Sequence, residues 1–436
     1  MGKEPATRRV LTGIAVVVLL ALAVAAGYSF GSARSRLPTR KEEPAAPSPA
    51  PTYDPSKGFP RADAPRPVDP RVAEPGAVAA RSAAIHQAAE AIRAECRAAG
   101  GDWEAWQRTT EQYRGALRAR VQALKDAGLA GPNDAGLNCE ALAGNQGFPL
   151  FEIGARQRLS YLFDPASLDE FRREQSVVAA QGWLAARGID LIFVPVPKMT
   201  EVYIEHFVDP CPADGIVAPH VRRTLLDLLE HDVEVVDGFR LFRPLRDTDA
   251  EYLYATADTH WGPRAMRIMA KEVADRIERY RFGARARYAL PIVKTNIGGY
   301  WQCLSRSMAD KYTGFQDGLF VLTEQQQRLA APVQTTNTLD VTMPDGSVPP
   351  DDPRSPVLLI GHSYLRHFRE LLIRELNLLP QTNSSANGTT EFFGDFLRDP
   401  ELLAQTRVVI WITTEAHMTQ FKPMPAPILM DLPSSN

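Results

Sequence analysis

The hydrophobic and polar positions divide the chain into four stretches. Residues 10–31, VLTGIAVVVLLALAVAAGYSFG, carry no charge. At about 1.5 Å per residue, that run reaches across a hydrocarbon core of about 30 Å. Arg8 and Arg9 stand in front of it. We read residues 1–34 as an uncleaved membrane anchor. The competing reading is a cleaved signal peptide, since Ala23-Val24-Ala25 offers a small-residue cleavage pattern. Arg34, Arg36, Arg40 and Lys41 follow the span, so basic residues flank both ends and do not decide its orientation. Residues 35–76 are rich in Pro and Ala and nearly free of large apolar side chains. Such a segment buries too little surface to offset its ordering entropy, and its prolines favour an extended spacer.

The period changes after Gly76. Ile85, Ala89, Ile92 and Cys96 recur near helical spacing, Gly100-Gly101 interrupts them, and Trp103, Trp106, Tyr113, Leu117, Val121 and Leu124 continue one apolar face. This predicts a helical hairpin within residues 77–145 that packs on the main domain. From 146 to 436 short apolar runs alternate with amphipathic ones. The predicted strands are Ile189 to Val196, Val233 to Val236, Pro356 to Gly361 and Arg407 to Thr413. The predicted helices run from Leu168 to Gly188, Val217 to Glu230, Arg264 to Arg279 and Tyr364 to Leu376. Gln326 to Ser355 is polar and proline-rich and reads as a long loop or a small excursion. This alternation predicts an α/β domain with a parallel sheet covered on both faces. Chemistry in such domains collects at the carboxyl ends of the strands.

Composition narrows the function classes. The chain has 436 residues, enough for two or three domains. Its net charge of −3 gives no footprint for nucleic acid. With a single apolar run long enough to span, a polytopic channel or transporter is excluded. The four cysteines, Cys96, Cys139, Cys211 and Cys303, form no C-x-x-C pair, which argues against a zinc ribbon or a thioredoxin-type site. They can pair in three ways in an oxidising compartment or remain buried thiols.

Two motifs carry chemistry. Ile360-Gly361-His362-Ser363-Tyr364 ends an apolar strand and opens a helix. A serine at that turn stands above the sheet edge beside a helix N-terminus, although a plain helix cap would look the same. Asp258-Thr259-His260-Trp261 places a carboxylate and an imidazole two residues apart, on one side of an extended segment. The carboxylate can orient the imidazole and stabilise its protonated form; a metal pair or a solvent-facing loop are the alternatives. A serine needs a base within reach to become a nucleophile. Ser363, His260 and Asp258 together therefore predict acyl transfer through an acyl-serine, ending in hydrolysis or in transfer to an alcohol. No metal and no cofactor is expected.

The order of these motifs resembles the SGNH-like domain of the alginate O-acetylation proteins AlgJ and AlgX. Asp-Thr-His-Trp precedes Gly-x-Ser-Tyr, the reverse of ordinary SGNH esterases. Val194-Pro195-Val196-Pro197-Lys198 resembles that family's first core strand and lysine. Val233 to Asp237 before Tyr252-Leu253-Tyr254 also falls in order, and Val408 to Trp411 with Glu415 resembles the closing strand. The resemblance covers roughly residues 146–420. It implies a three-layer SGNH-like sandwich, with Ser363 as nucleophile, His260 as base and Asp258 as its partner. It also implies an anchored extracytoplasmic acetyltransferase of the inner membrane and periplasm, acting on an alginate-like or other exopolysaccharide and supplied by a multipass membrane acyltransferase. Polysaccharide acetyl esterase and a non-catalytic polysaccharide-binding or assembly protein are the alternatives. Lys198, Trp261 and Tyr364 are candidate substrate contacts. Tyr300-Trp301 could add a sugar-stacking face, and Asn383, Asn387 or Gly388 an oxyanion donor, although the stretch around them reads as a surface loop. His362 departs from the Asp or small residue common before the serine; it either perturbs the nucleophile or faces solvent.

Overall fold

The computed structural model describes residues 75–282, 292–298, 335–341, 351–384 and 399–421, with short internal gaps that include 255–259. The expected anchor at 10–31 and nearly all of the spacer lie outside the described residues, as do Asp258, Tyr300, Trp301, Cys303, Asn387 and Gly388. Among the described residues, no helix is long and apolar enough to cross a membrane.

Five parallel strands form the centre. They are β1 (Asp190–Val196), β2 (Glu234–Val235), β3 (Val357–Gly361), β4 (Gln381–Ser384) and β5 (Val408–Thr414), in the spatial order β2-β1-β5-β3-β4. The last strand in the chain therefore sits in the middle, with Trp411 opposite both Phe193 and Ile360. All seven residues of β5 and all five of β3 are buried. Continuous apolar runs of this kind belong to a sheet covered on both faces. Each fully buried Val, Leu or Ile adds about 1.5–3 kcal/mol. Trp411 meets Phe193 edge-on at 5.7 Å and stacks on Phe421 at 5.1 Å, which ties the sheet to the segment beyond it.

The helices used below are α1 (Pro75–Ala98), α2 (Ser176–Ala185), α3 (Pro219–Glu230), α4 (Pro263–Ile277) and α5 (Phe368–Leu376). Gly188, in the left-handed region at φ 69°, turns the chain after α2 into β1. The expected helix from Leu168 is shorter: Leu168 itself ends a 3-10 turn, Pro165–Leu168. Helices α4 and α5 pack on each other, and α1 packs on α3 and β2.

Two expected loops are strands. Thr335–Val341, inside the stretch read as a long loop, pairs antiparallel with Ile292–Gly298. Gln381–Ser384, with Asn383 inside it, pairs with β3 as an edge strand. Polar residues suffice at both places because backbone pairing, not apolar burial, holds an edge. A third sheet, Ala130–Pro132 with Asn138–Ala143 and Phe151–Gly154, is antiparallel and joins the helical segment to the α/β body.

The helical segment is fixed by arginines as well as by packing. Cys96 and Trp106 are buried against Ile216 and Phe239. Cys96 and Cys211 are both free thiols. Arg222 of α3 is buried and bonds Glu95 of α1 at 2.9 Å and Asp237 at 2.9 Å. Burial opposes the charge on Asp237, but Arg222 beside it holds that carboxyl below its usual range. Arg114 reaches the Val217 carbonyl at 2.7 Å. Removing one partner of a buried ion pair strands the other charge. Arg222→Met should therefore cost about 3–5 kcal/mol in urea unfolding. A loss under about 1 kcal/mol, the scale of surface pairs, would show that Arg222 does not bolt α1 to the body.

Candidate active site

The nucleophile turn grows out of β3. A Cβ on Gly361 would lie 2.5 Å from the Ile412 carbonyl of β5, so only glycine fits; here the constraint is close approach rather than a special φ. Ser363 opens a 3-10 turn, Ser363–Leu365, closed by the Leu365 N–H donating to the His362 carbonyl at 2.8 Å. The Ser363 side chain is exposed, although His362, Tyr364 and Leu365 around it are buried. Its hydroxyl lies 2.9 Å from His260 Nε2 and 3.5 Å from His362 Nδ1. Among the described residues it caps no helix.

His260 is brought there by the segment that precedes α4. Tyr254 and Trp261 form an antiparallel bridge, and the Gly262 N–H donates to the Leu253 carbonyl at 2.7 Å. These contacts bring together residues 253–254 and 261–262; Asp258, between them in sequence, lies outside the described residues. Pro263 then starts α4, where its missing N–H costs nothing. Trp261 is buried; it stacks on Phe368 of α5 at 5.1 Å and packs on Tyr364 at 5.6 Å. The His260 ring itself sits 5.0 Å from the Tyr364 ring. An aromatic column therefore clamps the segment bearing His260 to the turn bearing Ser363. Tyr254 adds a hydrogen bond to the Pro197 carbonyl, and burial raises its phenol well above the usual range.

Lys198 follows β1 and is fully buried, with Nζ 3.5 Å from the Tyr364 hydroxyl and 5.7 Å from its ring. The structure thus gathers Ser363, His260, Trp261, Tyr364 and Lys198 at one end of the sheet. Trp261 and Tyr364, read as candidate substrate contacts, occupy core positions. Asn383 lies in β4 rather than in a loop. His362 does not face solvent: it is 3% exposed, with Nε2 3.3 Å from the Thr414 N–H.

Sequence reasoning gave no role to Glu201 or Glu415. Glu201 caps the short helix Met199–Val202, accepting from the Lys198 N–H at 2.8 Å and from the Tyr161 hydroxyl. Glu415 directly follows β5 and is 1% exposed, and neither of its carboxyl oxygens meets a donor. Burial, then the charge of Glu201, pushes its pKa well above the usual carboxylate range. Both carboxyls line a small cavity with Arg222, with room for about one water. The only signal in the sequence was the position of Glu415 at the end of a buried strand.

A profile of the SGNH hydrolase-like domain of the acetyltransferase AlgX matches residues 164–415, more than half of the chain. The chain belongs to this family of SGNH hydrolase-like acetyltransferase domains, as the order of its motifs suggested. Solved structures similar to it include the O-acetyltransferase domain of Pseudomonas putida AlgJ. That match has 16% identity and a TM-score of 0.45, covering 65% of this chain and 93% of that one. Pseudomonas aeruginosa AlgX is similar at 15% identity and a TM-score of 0.36, covering 64% of each chain. No curated protein matches the sequence.

The state of Glu415 has a consequence for stability. The folded protein holds the Glu415 proton to higher pH than the unfolded chain, which releases it above about pH 4.5. Stability from this group therefore falls as pH rises. Glu415→Gln removes the ionisable group at nearly constant shape. Its stability relative to the parent should be flat below about pH 4 and rise as pH increases above about 5 in denaturant melts. A difference that does not change with pH would show that Glu415 titrates normally.

Proposed function

We propose that this chain is an O-acetyltransferase that moves acetyl groups onto hydroxyls of an extracytoplasmic polysaccharide through an acetyl-Ser363 intermediate. The observation that carries it is the 2.9 Å contact between His260 Nε2 and an exposed Ser363 hydroxyl at a strand end. Family membership supports acetyl transfer as the chemistry.

The steps follow from the geometry. Ser363 Oγ attacks the carbonyl carbon of an acetyl ester, and its proton passes to His260 Nε2. The carbonyl π electrons move to oxygen. When they return, the bond to the donor alcohol breaks and His260 gives that alcohol its proton. A sugar hydroxyl then repeats the sequence in reverse: it loses its proton to His260 and attacks the acetyl carbon, and Ser363 leaves with the proton restored. Asp258, two residues before His260, is assigned to hold the imidazole tautomer and stabilise the imidazolium. Lys198, Trp261 and Tyr364 form the floor on which His260 and Ser363 rest; an acyl group on Ser363 would touch that floor, with the sugar entering from the exposed side.

In this reading residues 1–34 anchor the chain in the inner membrane, residues 35–76 hold the body away from it, and residues 77–145 and 146–436 form a periplasmic helical segment and catalytic domain. The acetyl donor comes from a multipass membrane acyltransferase. Water competes with the sugar for the acyl-enzyme, so an esterase differs only in the acceptor.

Ser363→Ala should lower transfer by about 10⁴-fold or more with unchanged melting temperature. With a chromogenic acetyl ester and polysaccharide oligomers, mass spectrometry should find acetyl on Ser363 and then on the oligomer. An adduct that only hydrolyses, whatever oligomer is supplied, would assign an esterase. Full activity in the alanine variant would remove the acyl-serine altogether.

A further inference from the structure

The residue before the nucleophile, His362, is tied into the end of β5 in a way that fixes its chemistry. Its Nε2 lies 3.3 Å from the Thr414 backbone N–H and 3.5 Å from the Thr413 hydroxyl. A backbone N–H can only donate, so Nε2 carries a lone pair. In a neutral ring the proton then sits on Nδ1. Nδ1 is the atom that faces Ser363 Oγ, at 3.5 Å.

We infer that His362 is a second hydrogen-bond partner of the nucleophile, held as the Nδ1–H tautomer by β5 and donating to Ser363 Oγ. The inference rests on the acyl-serine reading for its purpose, but not for its geometry. The hydroxyl can make both contacts at once: its hydrogen goes to His260 Nε2 and a lone pair receives the His362 N–H. This sets the direction of the O–H bond before substrate arrives. As the proton leaves for His260, charge grows on Oγ; it grows again when Oγ departs from the acetyl carbon. A fixed donor strengthens toward that charge, and catalytic contacts that are long in a ligand-free site commonly shorten in the complex.

The surroundings keep the ring neutral. His417 lies 4.2 Å from it, centroid to centroid, with its own Nδ1 at 2.6 Å from the Thr414 hydroxyl. The Tyr364 ring stands edge-on at 5.2 Å, and beyond it is the Lys198 ammonium. Protonating Nε2 of His362 would set two N–H groups against each other at Thr414 and add a charge beside His417 and near Lys198. The histidine thus serves as a donor and not as a second base. It is a positioning residue in the resting enzyme and touches the reacting oxygen.

Two measurements on the full chain test this. Nitrogen-15 NMR of histidine-labelled protein, with His362→Gln to assign the signal, should show Nδ1 protonated and Nε2 bare, unchanged from about pH 6 to 9. An Nε2–H ring, or one that titrates like a free imidazole, overturns the proposal without reference to catalysis. Hydrolysis of a chromogenic acetyl ester then separates donor from acceptor. His362→Asn keeps an N–H near Nδ1, whereas His362→Gln extends its amide toward Nε2. The asparagine variant should stay within about 10-fold of the parent kcat, and the glutamine variant should fall about 10- to 100-fold, at similar melting temperatures. Glutamine matching or exceeding asparagine overturns the donor role. If the parent itself forms no acyl-enzyme, the acyl-serine reading fails, and the NMR result still decides the tautomer.

Discussion

The carboxyl end of β5 is the constraint on which the site depends. Three backbone or side-chain groups within three residues set it. The Ile412 carbonyl comes so close to residue 361 that no side chain fits there. The Thr414 N–H holds the ring of His362. The Thr414 hydroxyl holds His417 against that ring. Because the strand register places Ile412 beside Gly361, a slip of one residue would move all three contacts at once. The serine is exposed, yet the turn that carries it and the ring of His362 beside it are held by a buried strand.

The other half of the site is held by packing rather than by the sheet. His260 lies in a loop, and loops alone position poorly. Trp261 next to it is inserted between Tyr364 and Phe368, on the two turns that follow the serine. Ser363 and His260 therefore share one aromatic column, and their 2.9 Å contact does not require either segment to be rigid alone. Beneath them, a buried lysine and two buried glutamates follow the ends of β1 and β5. Arg222 lines the same small cavity as the two glutamates and also anchors the helical segment through Glu95. Site and helical segment are thus electrostatic neighbours.

The central strands were readable because burial on both faces leaves continuous apolar runs, as in Leu191 to Val194 and Val408 to Ile412. Gly188 announced the end of α2, since its left-handed backbone disfavours other residues. Ser363 and His260 were readable because each stands at an element boundary with a distinctive neighbour. The polar strands Thr335–Val341 and Gln381–Ser384 were not, because what makes them strands is a partner far away in sequence. Gln381 shows the point: its side chain bonds the Ser355 carbonyl at 3.0 Å, a contact no local pattern encodes. The inward direction of His362 was equally hidden, since alternation along β3 does not say what lies opposite. The burial of Glu415 was hidden too, as a charged residue just past a strand ordinarily reaches water.

The position of β5 bears on how the protein is made. Without residues 408–414, the strand order leaves only two separate pairs, β1 with β2 and β3 with β4. Lys198, His260 and Ser363 are all synthesised before those residues, the strand that joins their two halves. The sheet is therefore completed by insertion of a late strand between partners more than two hundred and about fifty residues earlier, pairings of long range that slow folding. Lys198, beyond β1, and Ser363, beyond β3, therefore share one sheet edge only once the last strand stands between them.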